Sequence, residues 1–252
     1  MRSCFTLLWL ACLAVGCGNS TTAGAKDSSA DQVVESAPAM APEPAPLLAE
    51  TEPQPTPEPS PPPPSPRRLA LVPLGEISTA DVGIASASIS GTFGWIVDVQ
   101  APQDLPSSAW YAKRKRHRAE KILDWLRPQL PEGADRIMAL TAGDISTTKP
   151  PHKDWGICGL ADIGAAASVV STFRIRKKMG GAVGGARVAR YEQRLRDLAA
   201  HEFGHQLGLE HCPNRGCVME DAKGTVATFD HSTGALCQEC AAALAEAGFP
   251  LP

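Results

Sequence analysis

From residue 67 onward, short apolar runs alternate with stretches in which apolar residues recur every three or four positions, so strands and helices are expected in turn. Leu69 to Leu74 (LALVPL) is an uninterrupted apolar run closed by Gly75 and reads as a buried strand. Ser78 can cap a helix on which Val82, Ala85, Ile89 and Phe93 share one face. In WIVDV, Trp95, Val97 and Val99 alternate as in a half-buried strand. The pattern predicts a second helix from Ser107 or Ser108 to Arg127, with Ala119, Ile122, Leu123 and Leu126 inward and Pro128 as its stop. Arg136 to Thr141 reads as a strand, residues 142 to 154 as a polar loop, and GICGLA and ASVVSTF as two further strands. MGGAVGGA, residues 179 to 186, is a linker before a third helix that starts near Arg187 and runs through YEQRLRDLAAHEFGHQL, and CQECAAALAEAG is a last helix. This order predicts an α+β domain with α/β-like layers over residues 67 to 252.

The first 66 residues follow other rules. Arg2 precedes the apolar stretch CFTLLWLACLAV, residues 4 to 15, which is too short to span a bilayer and has the make-up of a signal-peptide core. Two cleavage sites compete. Ala14-Val15-Gly16-Cys17 resembles the lipobox of bacterial lipoproteins, with Ala14 where leucine is usual, and Ala23-Gly24-Ala25 fits the small-residue rule for ordinary cleavage. The lipobox reading makes residues 1 to 17 a lipoprotein signal with Cys17 acylated. Gly18 after it implies the outer membrane of a bacterial envelope, with the lipid as the sole membrane contact. Of 23 prolines, 13 fall between Pro38 and Pro66, so residues 18 to 66 cannot bury a core and read as an extended tether.

Charge excludes one class of partner. With 24 basic against 27 acidic residues the formal charge is −3, which offers no footprint for nucleic acid. The basic run KRKRHR, residues 113 to 118, has no interleaved aromatics and reads as a solvated helix face. No phosphate loop is present, because no Gly-Lys-Ser/Thr follows the glycines of residues 180 to 185.

The chemistry concentrates in HEFGHQLGLEH, residues 201 to 211, which holds three of the six histidines. On a helix, His201 and His205 stand one turn apart on one face and can share a metal ion, while Glu202 falls beside that ion. Gly208 can adopt the left-handed conformation that ends a helix and turn the chain so that His211 returns as a third ligand. Three imidazoles with an open position make a catalytic zinc site rather than a closed one. Zinc lowers the pKa of its bound water to ~7 and Glu202 can take the proton as general base, which implies peptide-bond hydrolysis. Cys212, Cys217, Cys237 and Cys240 have the spacing of a second, structural metal site. In an exported protein the same thiols could instead form Cys212–Cys217 and Cys237–Cys240 disulfides. Cys158 reads as a buried small apolar residue.

The series His201-Glu202-x-x-His205-x-x-Gly208-x-x-His211-Cys212, Cys217-x-Met219 and Cys237-x-x-Cys240 resembles the signature of the archaemetzincins, and weaker similarity reaches back to LALVPLG. The resemblance implies a zincin-like fold with a mixed, twisted sheet of four to five strands, whose edge strand near GICGLA lines the substrate cleft. It implies His201, His205 and His211 on a catalytic zinc, Glu202 as base, Met219 beneath the metal and the four cysteines on a second zinc, two ions per chain. The expected substrate is a peptide or protein, and a monomer is expected. A different class of function, a non-catalytic zinc-stabilised module that holds peptides at a cell surface, has no use for Glu202.

Overall fold

The computed structural model describes residues 66 to 252 except 178, 180 and 182. The signal segment, the lipidation at Cys17 and nearly all of the tether therefore lie outside the described residues.

The elements in chain order are β1 (Arg68–Leu74), α1 (Thr79–Phe93), β2 (Ile96–Val99), β3 (Trp110–Tyr111), β4 (Arg116–Arg118), α2 (Ala119–Leu126), β5 (Arg136–Thr141), β6 (Ile145–Lys149), β7 (His152–Ile157), β8 (Gly159–Ala161), β9 (Ala167–Ser171), α3 (Thr172–Ile175), α4 (Gly184–Gln206) and α5 (Gln238–Glu246). The main sheet has the order β2-β1-β5-β9-β8, parallel throughout except for β8, which runs antiparallel to β9 and forms the edge. It is the mixed five-stranded sheet expected from the sequence.

β1 is apolar from Leu69 onward because both its faces are covered. Leu69 and Leu71 join Met138, Leu140 and Val170 under α1 and α4. Ala70, Val72 and Leu74 join Ile137, Ala139 and Val169 on the opposite face, under α2. Ser78 caps α1 by accepting from the Asp81 N–H at 3.1 Å, and Gly94, with φ of 71°, ends it by donating to the Ser90 carbonyl at 2.9 Å. The expected inward residues Val82, Ala85, Ile89 and Phe93 are buried. Phe203 of α4 is fully buried against Phe93 and Trp95, with ring centroids 5.1 and 4.9 Å away. Burial of such a side chain stabilises by ~1.5–3 kcal/mol and fixes the rotation of α4, hence which residues it turns toward the cleft.

Four expectations are corrected. The helix read from Ser107 to Arg127 is helical only as α2, over Ala119–Leu126. Residues before it form two single 3-10 turns, Ser107–Ala109 and Ala112–Arg114, and the strands β3 and β4. The polar loop read over residues 142 to 154 is largely β6 and β7. These four strands make a second sheet, β3-β4-β6-β7. The cause is shared: Arg116 and Arg118 are not solvated but 18% and 12% exposed, paired with Asp144, Asp154 and Glu120. Those carboxylates come from sequence-distant strands as well as from α2, so a local pattern cannot show the pairing. The linker is also shorter than read, since α4 already begins at Gly184.

Candidate active site

The last two turns of α4 carry His201 and His205. The helix ends as its glycine suggests: Gly208 takes φ of 99°, its N–H donates to the His205 carbonyl at 2.9 Å, and the Leu209 N–H donates back to Gly204 at 3.0 Å. This double closure reverses the chain. His211 is brought back so that its ring centroid lies 5.4 Å from that of His201 and 4.9 Å from that of His205. One nitrogen from each ring falls within a common 4.8 Å.

The second nitrogens define what the first can do. His201 Nδ1 lies 2.8 Å from the Val218 carbonyl and His205 Nδ1 lies 2.7 Å from the Leu209 carbonyl. A carbonyl only accepts, so both Nδ1 atoms carry the proton and both Nε2 atoms present lone pairs. Those lone pairs face each other across 3.1 Å, a repulsive arrangement that a shared cation relieves. Tetrahedral zinc with Zn–N of 2.0–2.1 Å sets its nitrogens about 3.3 Å apart, so the residues fit the ion. Burial, aided by the neighbouring His205, lowers the His201 pKa to about 4, which keeps the imidazole neutral.

Glu202, beside these rings, is buried, and burial raises its pKa to about 8. It lines both cavities that flank the triad, one of about 270 Å3 toward Cys158, Leu198 and Phe229 and one of about 430 Å3 toward Leu160, Ala161 and Ile163. Gly159 of β8 belongs to both, so the edge strand forms one wall of the cleft, as the family resemblance implies.

Two glycines outside the sequence reading are required here. A Cβ on Gly159 would overlap the Glu202 carboxylate, and a Cβ on Gly204 would come within 2.5 Å of Met219 Sδ. Met219 is fully buried beneath the histidine-bearing turn. Both glycines are visible in GICGLA and HEFGH, but their need for space is a tertiary contact. The carbonyls of Val218 and Leu209 were equally hidden, since backbone acceptors leave no mark in a sequence.

The four cysteines converge. Cys212 Sγ is 3.6 Å from Cys237 Sγ and Cys217 Sγ is 3.8 Å from Cys240 Sγ, with all four sulfurs within 4.8 Å. Zinc with Zn–S of ~2.3 Å sets tetrahedral sulfurs about 3.8 Å apart. All four are free thiols. Polar hydrogens point at the sulfurs: the N–H groups of Asn214, Met219 and Cys237 lie 3.4, 3.5 and 3.4 Å from Cys212, Cys217 and Cys217. Burial works against ionisation of Cys237, but the hydrogen bond from Asn214 and contacts with Cys240 outweigh it and bring that thiol to about 6. Such donors suit thiolate ligands. Cys158 faces the smaller cavity half-buried, and burial with the nearby Glu202 raises its thiol to about 12.

The two sites share one loop. The Cys212 N–H donates to the Met219 carbonyl at 2.8 Å, and Val218, which orients His201, lies between Cys217 and Met219. Arg194, fully buried, donates from Nε and Nη2 to the two carboxylate oxygens of Asp230 at 2.6 and 2.7 Å and from Nη1 to the Ile175 and Lys177 carbonyls. It ties α4 to the segments that border the smaller cavity.

A histidine triad on a helix and its turn, a buried carboxylate beside it and a sheet edge along the cleft define a zinc metallopeptidase. Residues 189–246 match the model of Peptidase family M54, and residues 116–212 match that of Metallo-peptidase family M12B Reprolysin-like. The archaemetzincin of Haloarcula marismortui is 33% identical over 171 residues, covering 68% of this chain and 95% of its own. That of Haloquadratum walsbyi is 32% identical over 171 residues, with 68% and 95% covered. The crystal structure of the archaemetzincin of Methanopyrus kandleri superposes with a TM-score of 0.60 at 26% identity, covering 72% of this chain and 95% of that one. At this identity and coverage the chain belongs to the archaemetzincin family. The expectation of a bacterial envelope lipoprotein is overturned by these comparisons: the relatives are archaeal archaemetzincins, and nothing in them supports an envelope anchor.

Proposed function

We propose that residues 67 to 252 form a peptidase in which His201, His205 and His211 hold a catalytic zinc and Glu202 is the general base. Cys212, Cys217, Cys237 and Cys240 hold a second, structural zinc, giving two ions per chain. The chain acts as a monomer, since ligands, base and cleft walls all belong to one polypeptide. The observation that carries the reading is the buried Glu202 carboxylate, adjoining both the triad and the two cavities on either side of it.

Zinc in this site supplies Lewis acidity, polarising a substrate carbonyl and bringing the pKa of water toward ~7. The chain's residues do the rest. The outer edge of β8, without a strand partner among the described residues, offers backbone groups to an extended peptide and holds it across the cleft. Val218 and Leu209 keep His201 and His205 in the Nδ1-protonated form. Glu202 takes the proton from the attacking water and returns it to the leaving amine, a task its place beside the triad and both cavities allows. Gly159 leaves it the room to do so. Gly159→Ala is expected to retain zinc and fold yet lose about 10- to 100-fold in kcat/KM, because a displacement near 1 Å at the reacting groups costs that much. An unchanged rate from a folded Gly159→Ala would remove the positioning role.

The test of the whole reading uses the full chain, with zinc counted by atomic emission and hydrolysis followed on a quenched-peptide library. About two zinc ions per chain, loss of hydrolysis on chelation and its return with zinc are expected. A zinc-loaded chain that binds peptides without cleaving them would instead establish the binding module.

A further inference from the structure

The two halves of the cleft differ in charge. The larger cavity is bordered by Glu210 and by apolar residues of β8 and the turn after it. The smaller has Lys149, Arg174 and Lys177 on its walls, against Asp221 and Glu202, over an apolar floor of Leu198, Val226 and Phe229.

Arg174 belongs to an ion-pair cluster with a net positive charge. It pairs with Asp144 at 2.9 Å, but that carboxylate is shared with Arg116 at 3.4 Å. Followed outward, the network joins Arg114, Arg116, Arg118 and Arg174 to Asp144, Asp154 and Glu120. Four guanidiniums against three carboxylates leave one positive charge, and Arg174 is the one member that borders the cavity. The packing fixes it there: a Cβ on Gly156 of β7 would overlap its guanidinium. Lys177 is held over the Phe173 ring, 4.0 Å from its centroid, and has no carboxylate partner among the described residues. Lys149 faces Asp221, the one acidic wall residue apart from the proposed base. Arg174 is half-buried, with 27% of its side chain exposed, so its charge is less screened than those of Lys149 and Lys177 at the exposed rim.

Direction follows from β8. Its outer edge has no strand partner among the described residues, and an extended peptide pairs with such an edge more strongly when antiparallel. β8 runs from the smaller cavity toward the larger, so the peptide runs the other way. The residue after the scissile bond then meets the basic cavity, whose volume of about 270 Å3 leaves ample room for its side chain.

We infer that this chain selects peptides carrying a carboxylate just C-terminal to the cleaved bond, docked on Arg174, Lys177 and Lys149. The inference rests on the peptidase reading. The carboxylate can be an Asp or Glu side chain or the free C-terminus of a peptide ending there.

The experiment uses the zinc-loaded full chain and quenched peptides that differ only in Glu, Gln or Lys after the scissile bond, with a second set ending at that residue as free acid or amide. Expected is a preference of about tenfold or more in kcat/KM for Glu over Gln or for acid over amide, as charge-assisted contacts give, which shrinks as salt rises. The arm that shows it identifies the source of the carboxylate. Arg174→Gln should bring the ratio below about threefold, and Lys177→Gln, on the surface and safer for folding, should reduce it in part. Ratios within about twofold in both arms would overturn the inference while leaving the peptidase reading intact. If nothing is cleaved, the peptidase reading fails, and anisotropy with the same labelled peptides decides this one: about tenfold tighter binding of Glu or free-acid peptides supports it, equal binding overturns it.

Discussion

Glu202→Gln is expected to lower kcat for peptide hydrolysis by on the order of 10²–10⁴-fold while the zinc content stays as in the wild type, the range that loss of a positioned general base produces. Glutamine keeps the shape of the side chain, so the imidazoles, their carbonyl partners and the cleft wall at Gly159 are undisturbed. It cannot accept the proton. Stability moves the other way, and its pH dependence gives an independent check. Burial raises the folded-state pKa of Glu202 to about 8, above its unfolded value. The carboxyl therefore costs nothing below the unfolded value, and its cost grows as pH rises from there through about 8. In protein stripped of the zinc at the histidine triad but keeping that at the cysteines, wild type and Glu202→Gln should melt together at pH 4, and the variant should melt higher at pH 8. Full activity in the variant would remove Glu202 from the chemistry, whatever the melting shows.

Cys240→Ser should have the larger effect on the fold. Cys240 is buried in the first turn of α5, its sulfur 3.8 Å from that of Cys217. A hydroxyl there is a poor ligand for zinc, and the remaining thiols are left to share an incomplete shell. Structural zinc contributes ~10–16 kcal/mol of binding energy to small metal-dependent folds, far more than the marginal stability of a domain, so even partial loss is felt throughout. The expected readouts are a fall to about one zinc per chain and a lower melting temperature that excess zinc partly restores. Hydrolysis should fall as well, although Cys240 is remote from the reaction, because the loop from Cys212 to Met219 supplies the carbonyl that orients His201. A variant that retains both ions and its melting temperature would show that the four thiols do not form a metal site.

Much of this architecture is legible in the sequence wherever one residue type performs one local task. β1, α1, β5, β9 and the catalytic part of α4 follow from apolar spacing, a serine cap and a glycine stop, all acting within a few residues. The histidine and cysteine groups follow from spacing because metal ligation tolerates few side chains. The second sheet was not legible. Lys113 to Arg118 favour a helix by local propensity, and the carboxylates that draw Arg116 into β4 come in part from Asp144 and Asp154, dozens of residues later. Gly159 and Arg174 were missed for a related reason: each matters through what stands opposite it, Glu202 in one case and a cavity wall in the other.

The seven side chains of the two proposed metal groups lie between His201 and Cys240, whereas the central sheet joins β1, β5 and β9 across gaps of sixty or more residues for β1–β5 and twenty-five or more for β5–β9. Loop closure over the short span costs less chain entropy than assembling the parallel strands, so the metal-binding segment can order before the sheet is complete. Zinc available during refolding would then act as a template as well as a cofactor, and its supply would govern how much chain reaches the native state.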